Sequence, residues 1–334
     1  GGNMKKIYIL LSLTLLASSN IYANNKDTLT VYTYDSFVSE WGPGPIIKEI
    51  FEEKFDANLE LIAVDSAATL LSKIILEGKT SKADVVLGLD MNLLDAANKS
   101  DLFQKHSLKN LDQLIQLPIR WESDNFIPYN YGYFAFVYNN KKFNNPPKSM
   151  DELINETKVR LVIQDPRTST PGLGLLTWMK AIYGDRAGAE WEKLNKKIIS
   201  VTKGWTDSYY NIFLAGEADM VLSYTTSPAA HIMFEENYDY SAITFEEGNY
   251  ISIEFAGILK NSKNHILANK FLEFILTDDF QSIIPSTNIM YPVTNKTNLP
   301  EAYNLLNIPK ALQIDPSSIN NNKNIWIEEW LNAS

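Results

Sequence analysis

Hydroxyls, one guanidinium and a scatter of carboxylates are the reactive groups that this chain gathers into short segments. In PRTSTPGLG (166–174), Ser169 and Thr170 offer hydroxyls, and backbone N–H groups at a helix start there would converge on an anion. Pro171 has no N–H to give but suits the first turn of such a helix. Arg167 fits either a phosphate contact or a pair with an acid elsewhere. The pattern G-x-x-x-x-G-K-[ST] is absent, so the segment is not a P-loop. Asp90 and Asn92 follow the apolar run ADVVLG (83–88), where they either face a cleft or cap a turn. Tyr209 and Tyr210 are adjacent, and tyrosinates ligate ferric iron, yet one pair does not make a metal constellation. His106, His231 and His265 lack the spacing of a shared metal site. Asp165, Ser169 and His231 can be written as a hydrolytic set. No G-x-S-x-G turn, H-E-x-x-H helix or cysteine nucleophile accompanies them, and neither a catalytic group nor a bound cofactor is expected.

Bulk composition narrows the classes further. The chain has 334 residues, 45% of them hydrophobic, which is enough for sizeable cores. Its 30 Lys and Arg against 40 Asp and Glu leave a formal charge of −10, without a long basic run. A nucleic-acid interface is not expected from that balance, because such surfaces concentrate cations opposite phosphates. With no cysteine, disulfides, thiol catalysis and lipid attachment through cysteine are excluded. Residues 1–3 precede Met4 and read as a cloning scar. Lys5, Lys6, the run IYILLSLTLLA and a small residue at Ala23 then form the order of a secretion signal. The apolar run is short for a membrane span. Residues 1–23 are therefore set aside from the mature fold.

The elements that must position these groups alternate along the chain. LTVYTY (29–34) predicts a strand, WGPGP (41–45) interrupts it, and Ile47, Ile50, Phe51 and Phe55 carry helix spacing. Leu59, Leu61 and Ala63 alternate as in a strand, and Leu70, Leu71, Ile74 and Ile75 mark the next helix. This alternation favours a mostly parallel sheet covered by helices. The aromatic run YNYGYFAFVYN (129–139) predicts a long strand into another lobe, and EGNYISIEFAGIL (247–259) a return strand. VRLVIQD and SVTKGW read as strands, NIFLAGEA as a helix, and DMVLSYTTSP as a further strand. NNNKN (320–324) reads as a surface loop, with Trp326 and Trp330 one helical turn apart as core anchors. The expectation is an α/β chain of two lobes with two extended crossings. Lobe 1 takes residues 28–127 with 251–297, lobe 2 takes 128–250, and 298–334 form a helical segment packed on the lobes. Loops beyond the strand ends would then line a ligand cleft.

Several segments, in order over nearly the whole mature chain, resemble the bacterial periplasmic thiamine-binding protein family. They are LTVYTYDSFVSEWGPGP, KADVVLGLDMNLLDAA, NYGYFAFVY, QDPRTSTPGLGLL, VTKGW, LSYTTSPAAH and NIMYPV. The resemblance implies a type II periplasmic-binding fold and capture of thiamine or its phosphate esters between the lobes. It also implies handover to a membrane ABC permease, with a monomeric protein in the periplasm. It places Tyr34, Trp41, Trp205 and Tyr224 in the cleft, where rings suit both the pyrimidine and the cationic thiazolium. Three positions depart from the family pattern. Ser66, with Asp65 beside it, stands where an aspartate addresses the aminopyrimidine. Ala230 and Ile289 stand where aromatic rings are usual. Loss of two ring faces implies a loosened or reshaped pocket. The rival functions are a ferric-iron or other small-ion binder of the same fold, and an exported hydrolase.

Overall fold

A computed structural model describes residues 26–294 and 298–333. The secretion-signal segment, 1–23, lies outside the described residues. The strand Thr28–Tyr34 is flanked by Asn58–Val64 and Val85–Asp90, both parallel to it. Helices Gly44–Phe55 and Ala67–Glu77 make the crossovers between them. Each helix buries its apolar stripe, Ile47 and Phe51 in the first and Leu70, Leu71 and Ile74 in the second.

The sheet then changes character. Asn249–Leu259 runs antiparallel to Val85–Asp90, and Phe126–Asn139 runs antiparallel to Asn249–Leu259. Only the first part of Phe126–Asn139 makes that ladder. From Phe134 to Tyr138 it pairs instead with Met220–Tyr224, which lies parallel to Leu161–Gln164, itself parallel to Ile198–Thr202. The molecule is thus two-lobed, and the two long strands carry the chain between lobes as the aromatic run predicts. The expectation of a mostly parallel sheet is corrected to a mixed one. A strand that crosses and a strand that returns must run in opposite directions, so the centre is antiparallel while the outer strands keep their helical crossovers.

Three further local expectations change. The segment 211–218 does not form the expected helix. A π-helix occupies Asp207–Phe213 instead, starting four residues earlier and taking in only 211–213 of that segment. The strand expected over 219–228 stops at Tyr224, because the Ser227 hydroxyl accepts from the Tyr224 N–H and Pro228 opens the helix Ser227–Glu235. Asn320–Asn322 and Asn324 lie inside the helix Pro316–Asn332 and not in a loop. Asp315 caps that helix through the N–H groups of Ser317 and Ser318, and Trp330 packs edge-on against Trp191 at 6.5 Å. Capping and tertiary packing override the weak helix propensity of asparagine there.

Candidate functional site

The strand Thr28–Tyr34 ends by turning the Tyr34 ring under the sheet edge. Gly88, at φ 110°, lies so close that a Cβ there would stand 2.4 Å from that ring. The Tyr34 hydroxyl donates to Oε2 of Glu254 at 3.0 Å. Tyr129 donates to the same oxygen at 3.0 Å, and the Asn130 amide does so at 2.5 Å. Asn130 and Asp90 are the register partners of Glu254 on its two neighbouring strands. Strand pairing therefore brings two carboxylates side by side where the crossing strands meet the end of Val85–Asp90.

Both carboxylates are withdrawn from water, Asp90 to 2% exposure and Glu254 to 9%. Burial pushes the Asp90 carboxyl up to about 7. The Asn92 N–H opposes that shift, and the neighbouring Glu254 charge adds to it. Burial also raises Glu254, against the donors Asn130, Tyr129, Tyr34 and Asn288. Tyr34, Tyr129 and Tyr224 are held well above the usual phenol range by burial first and the Glu254 charge second. All three rings therefore stay neutral and act as donors or faces.

The second lobe closes on this base with rings. Tyr224 ends its strand packed on Phe134, with ring centroids 5.1 Å apart. Trp205 donates its indole N–H to the Ser223 hydroxyl at 2.8 Å, and Ser223 in turn bonds Ser227 at 2.7 Å. The Trp205 ring stacks on Tyr209 at 4.9 Å and 29°. The Tyr209 hydroxyl meets Nε2 of His231 at 2.9 Å, and His231 stacks on Tyr240 at 4.1 Å. A column of three rings thus backs Trp205. Thr170, opening the helix Thr170–Tyr183, stands close enough to Asp90 that its side chain works against the rise of that carboxyl, which brings the two lobes together there. Lys203 makes a second link, an ion pair with Asp65 at 2.6 Å.

The residues named from sequence fall into three groups. Tyr34, Asp90 and Tyr224 come together around Glu254, with Thr170 beside Asp90. Trp41, Asp65 and Ser66 lie on the first lobe but in other employment. Trp41 is 56% exposed, Asp65 pairs with Lys203, and Ser66 caps the helix Ala67–Glu77 through the Thr69 N–H at 3.3 Å. Asn92 accepts from Tyr250 at 3.0 Å, a structural bond. Ser169 is buried at the N-cap of its helix without a side-chain capping bond, and Trp205 stands on its ring column. Ala230 lies half-buried on the helix Ser227–Glu235. Ile289 has φ 53°, which a β-branched side chain rarely adopts. It sits between Asn288, which accepts from Tyr34 at 3.4 Å, and the buried Met290.

Sequence reasoning missed Glu254, Tyr129, Asn130 and Asn288. Glu254 did leave a signal, since it is the one acid inside the apolar strand YISIEFAGIL. Arg167 resolves toward the acid, holding Asp165 in a bidentate pair at 2.9 and 2.6 Å. With Asp165 so paired and His231 bonded to Tyr209 and Glu235, the hydrolytic set is not assembled. Tyr209 is buried against His231 while Tyr210 is half-exposed, so the two phenols serve different surroundings. No group of three or more His, Cys, Asp or Glu suited to a metal occurs among the described residues.

The comparisons with known proteins agree on one kind of molecule. A family model described as "Bacterial extracellular solute-binding protein" matches residues 80–311. The thiamine-binding periplasmic protein of Escherichia coli (strain K12) is 48% identical over 97% of this chain and 98% of its own length. That of Brucella suis biovar 1 (strain 1330) is 45% identical over 98% and 99%. A solved periplasmic thiamin binding protein superposes with a TM-score of 0.88 at 49% identity, covering 92% of this chain and 96% of its own. A ferric binding protein from Campylobacter jejuni superposes at 0.77, covering 92% and 99%, but with 22% identity it shares the fold alone.

Proposed function

Because the chain belongs to the bacterial extracellular solute-binding family, among its thiamine-binding periplasmic proteins, we propose that it captures thiamine or a thiamine phosphate between its lobes and delivers it to an ABC permease. The observation that carries this reading is the meeting of a buried acidic base with a ring wall between two crossing strands. The thiazolium ring of thiamine is a permanent cation, and the aminopyrimidine is a flat heterocycle with donors and acceptors. A cation leaving water needs an opposite charge or an electron-rich ring face, and this cleft has both. A phosphate group would take the helix start at Ser169 and Thr170, where the Ser169 hydroxyl has no capping role.

Capture works by closure. Lobe 1, taken as 28–127 with 251–297, and lobe 2, taken as 128–250, turn about the two long strands. Ligand contacts to both lobes shift the population toward the closed form, which the permease then recognises. Trp41, Trp205, Tyr34 and Tyr224 supply ring faces, Asp65 and Ser66 the rim nearest the second lobe, and Ala230 and Ile289 the positions where side-chain size is reduced. The protein works as an exported monomer in the periplasm, and its role is binding without catalysis.

The test is calorimetric titration of the mature protein, unfolded and refolded to strip bound ligand, with thiamine, its monophosphate and its diphosphate. One saturable site of micromolar or tighter affinity supports the reading. Absence of binding by all three, with folding verified, overturns it and marks Ser66, Ala230 and Ile289 as a change of ligand.

A further inference from the structure

Glu254 and Asp90 share a feature that a structural role does not require. No basic side chain pairs with either carboxylate among the described residues, and Lys323 acts on Asp90 through its field alone. A buried carboxylate without a cation is costly and persists where something else supplies the opposite charge. The surroundings are incomplete in a second way. Asn130 is fully buried, its amide N–H is held on Glu254, and its own Oδ1 has no hydrogen-bond partner. That orphaned acceptor and the two acids all present negative potential to one place. The groups around it that can titrate or carry charge are Tyr34, Tyr129, Tyr224, Tyr250 and Lys323, and the four phenols stay neutral there.

We propose that Glu254, with Asp90 beside it, is the counter-charge that makes this cleft select a permanently cationic heterocycle over a neutral one of the same shape. The proposal rests on the thiamine reading above and deepens it. Tyr34 is the positioning residue, because its hydroxyl holds Glu254 while its ring packs tightly against Gly88. Selection by charge in a dry site discriminates more strongly than ring area does, since an isostere without the charge leaves the carboxylates unpaired. It also offsets the ring faces lost at Ala230 and Ile289. A cation seated beside the carboxylates favours their ionised forms. Binding below neutral pH is therefore accompanied by proton release to the buffer.

The experiment compares thiamine with an isostere whose thiazolium is replaced by a neutral thiophene ring, titrated into wild-type protein and Glu254→Gln. Wild type is expected to prefer thiamine by tenfold or more. At pH 6, its binding heat should vary with the ionisation enthalpy of the buffer in the sense of proton release. Glu254→Gln should lose at least tenfold in thiamine affinity while the neutral isostere changes less than threefold. A wild type that binds both ligands equally, or a variant that weakens both in parallel, overturns the proposal and leaves the thiamine reading intact. Wild type binding neither overturns both. The wild-type preference and proton release stand as tests should Glu254→Gln fold poorly, and Glu254→Asp should retain the preference.

Discussion

The two walls of the proposed cleft are built on opposite principles. On one side, Tyr34, Asp90 and Glu254 join Tyr129 and Asn130 of the crossing strand Phe126–Asn139 in a hydrogen-bonded base set by strand register. On the other, Trp205, Tyr209, His231 and Tyr240 form a stack fixed by a π-helix and a helix start. The base concentrates charge in a low dielectric, whereas the stack presents apolar and π area with few polar demands. Under the proposed function, this difference divides recognition between the two walls. Sensitivity to pH belongs to the first wall, and sensitivity to ring size and shape belongs to the second.

The comparison breaks first at Asp90. Its carboxyl is raised in the folded protein, so the folded state holds a proton that the unfolded chain releases. Stability from this group is full below the unfolded carboxylate range, near pH 4, and is lost as pH rises toward about 7. Asp90→Asn keeps an acceptor for the Asn92 N–H and removes that loss. Denaturant unfolding at pH 8 should show the variant stabilised by on the order of 3 kcal/mol relative to its difference at pH 4. Equal differences at both pH values would mean that the base does not hold its acids dry.

Trp205→Ala tests the second wall. It removes a ring face without touching the acids, and titration should show thiamine affinity reduced by about 2 kcal/mol, some thirtyfold. The pH dependence of binding should keep its wild-type form. A changed pH profile would show that the walls are not independent.

Lys203→Ala is the smallest change. The Lys203–Asp65 pair joins the lobes at the exposed rim, so its contribution to closure should be small and should vanish in high salt. Affinity measured across a salt series checks it. A large, salt-independent loss would move the pair from the rim into the recognition site.

Much of the architecture was legible because local pattern and tertiary role agree. Thr28–Tyr34, the amphipathic helices and the long aromatic strand appear where period and composition place them. NNNKN and 211–218 were misread because their structure is imposed by neighbours. Asparagines continue a helix that Asp315 starts and Trp330 anchors, and the π-helix follows the packing of Tyr209 against Trp205 and His231. Ser66 shows the same dependence on neighbours, since its capping bond to the Thr69 N–H follows from the helix that starts beside it.

By itself the sequence determined the alternation of strand and helix, the two crossing segments and the ring-rich, cysteine-free chemistry, because each follows from residue type and short-range period. Only the tertiary structure decided that Glu254, 220 positions from Tyr34, is its hydrogen-bond partner, and that Asp90 is the acid beside it. The physical reason is that charge recognition in a dry site depends on register between distant strands. Side-chain spacing along one strand says which residues share a face, and pairing alone says what they face.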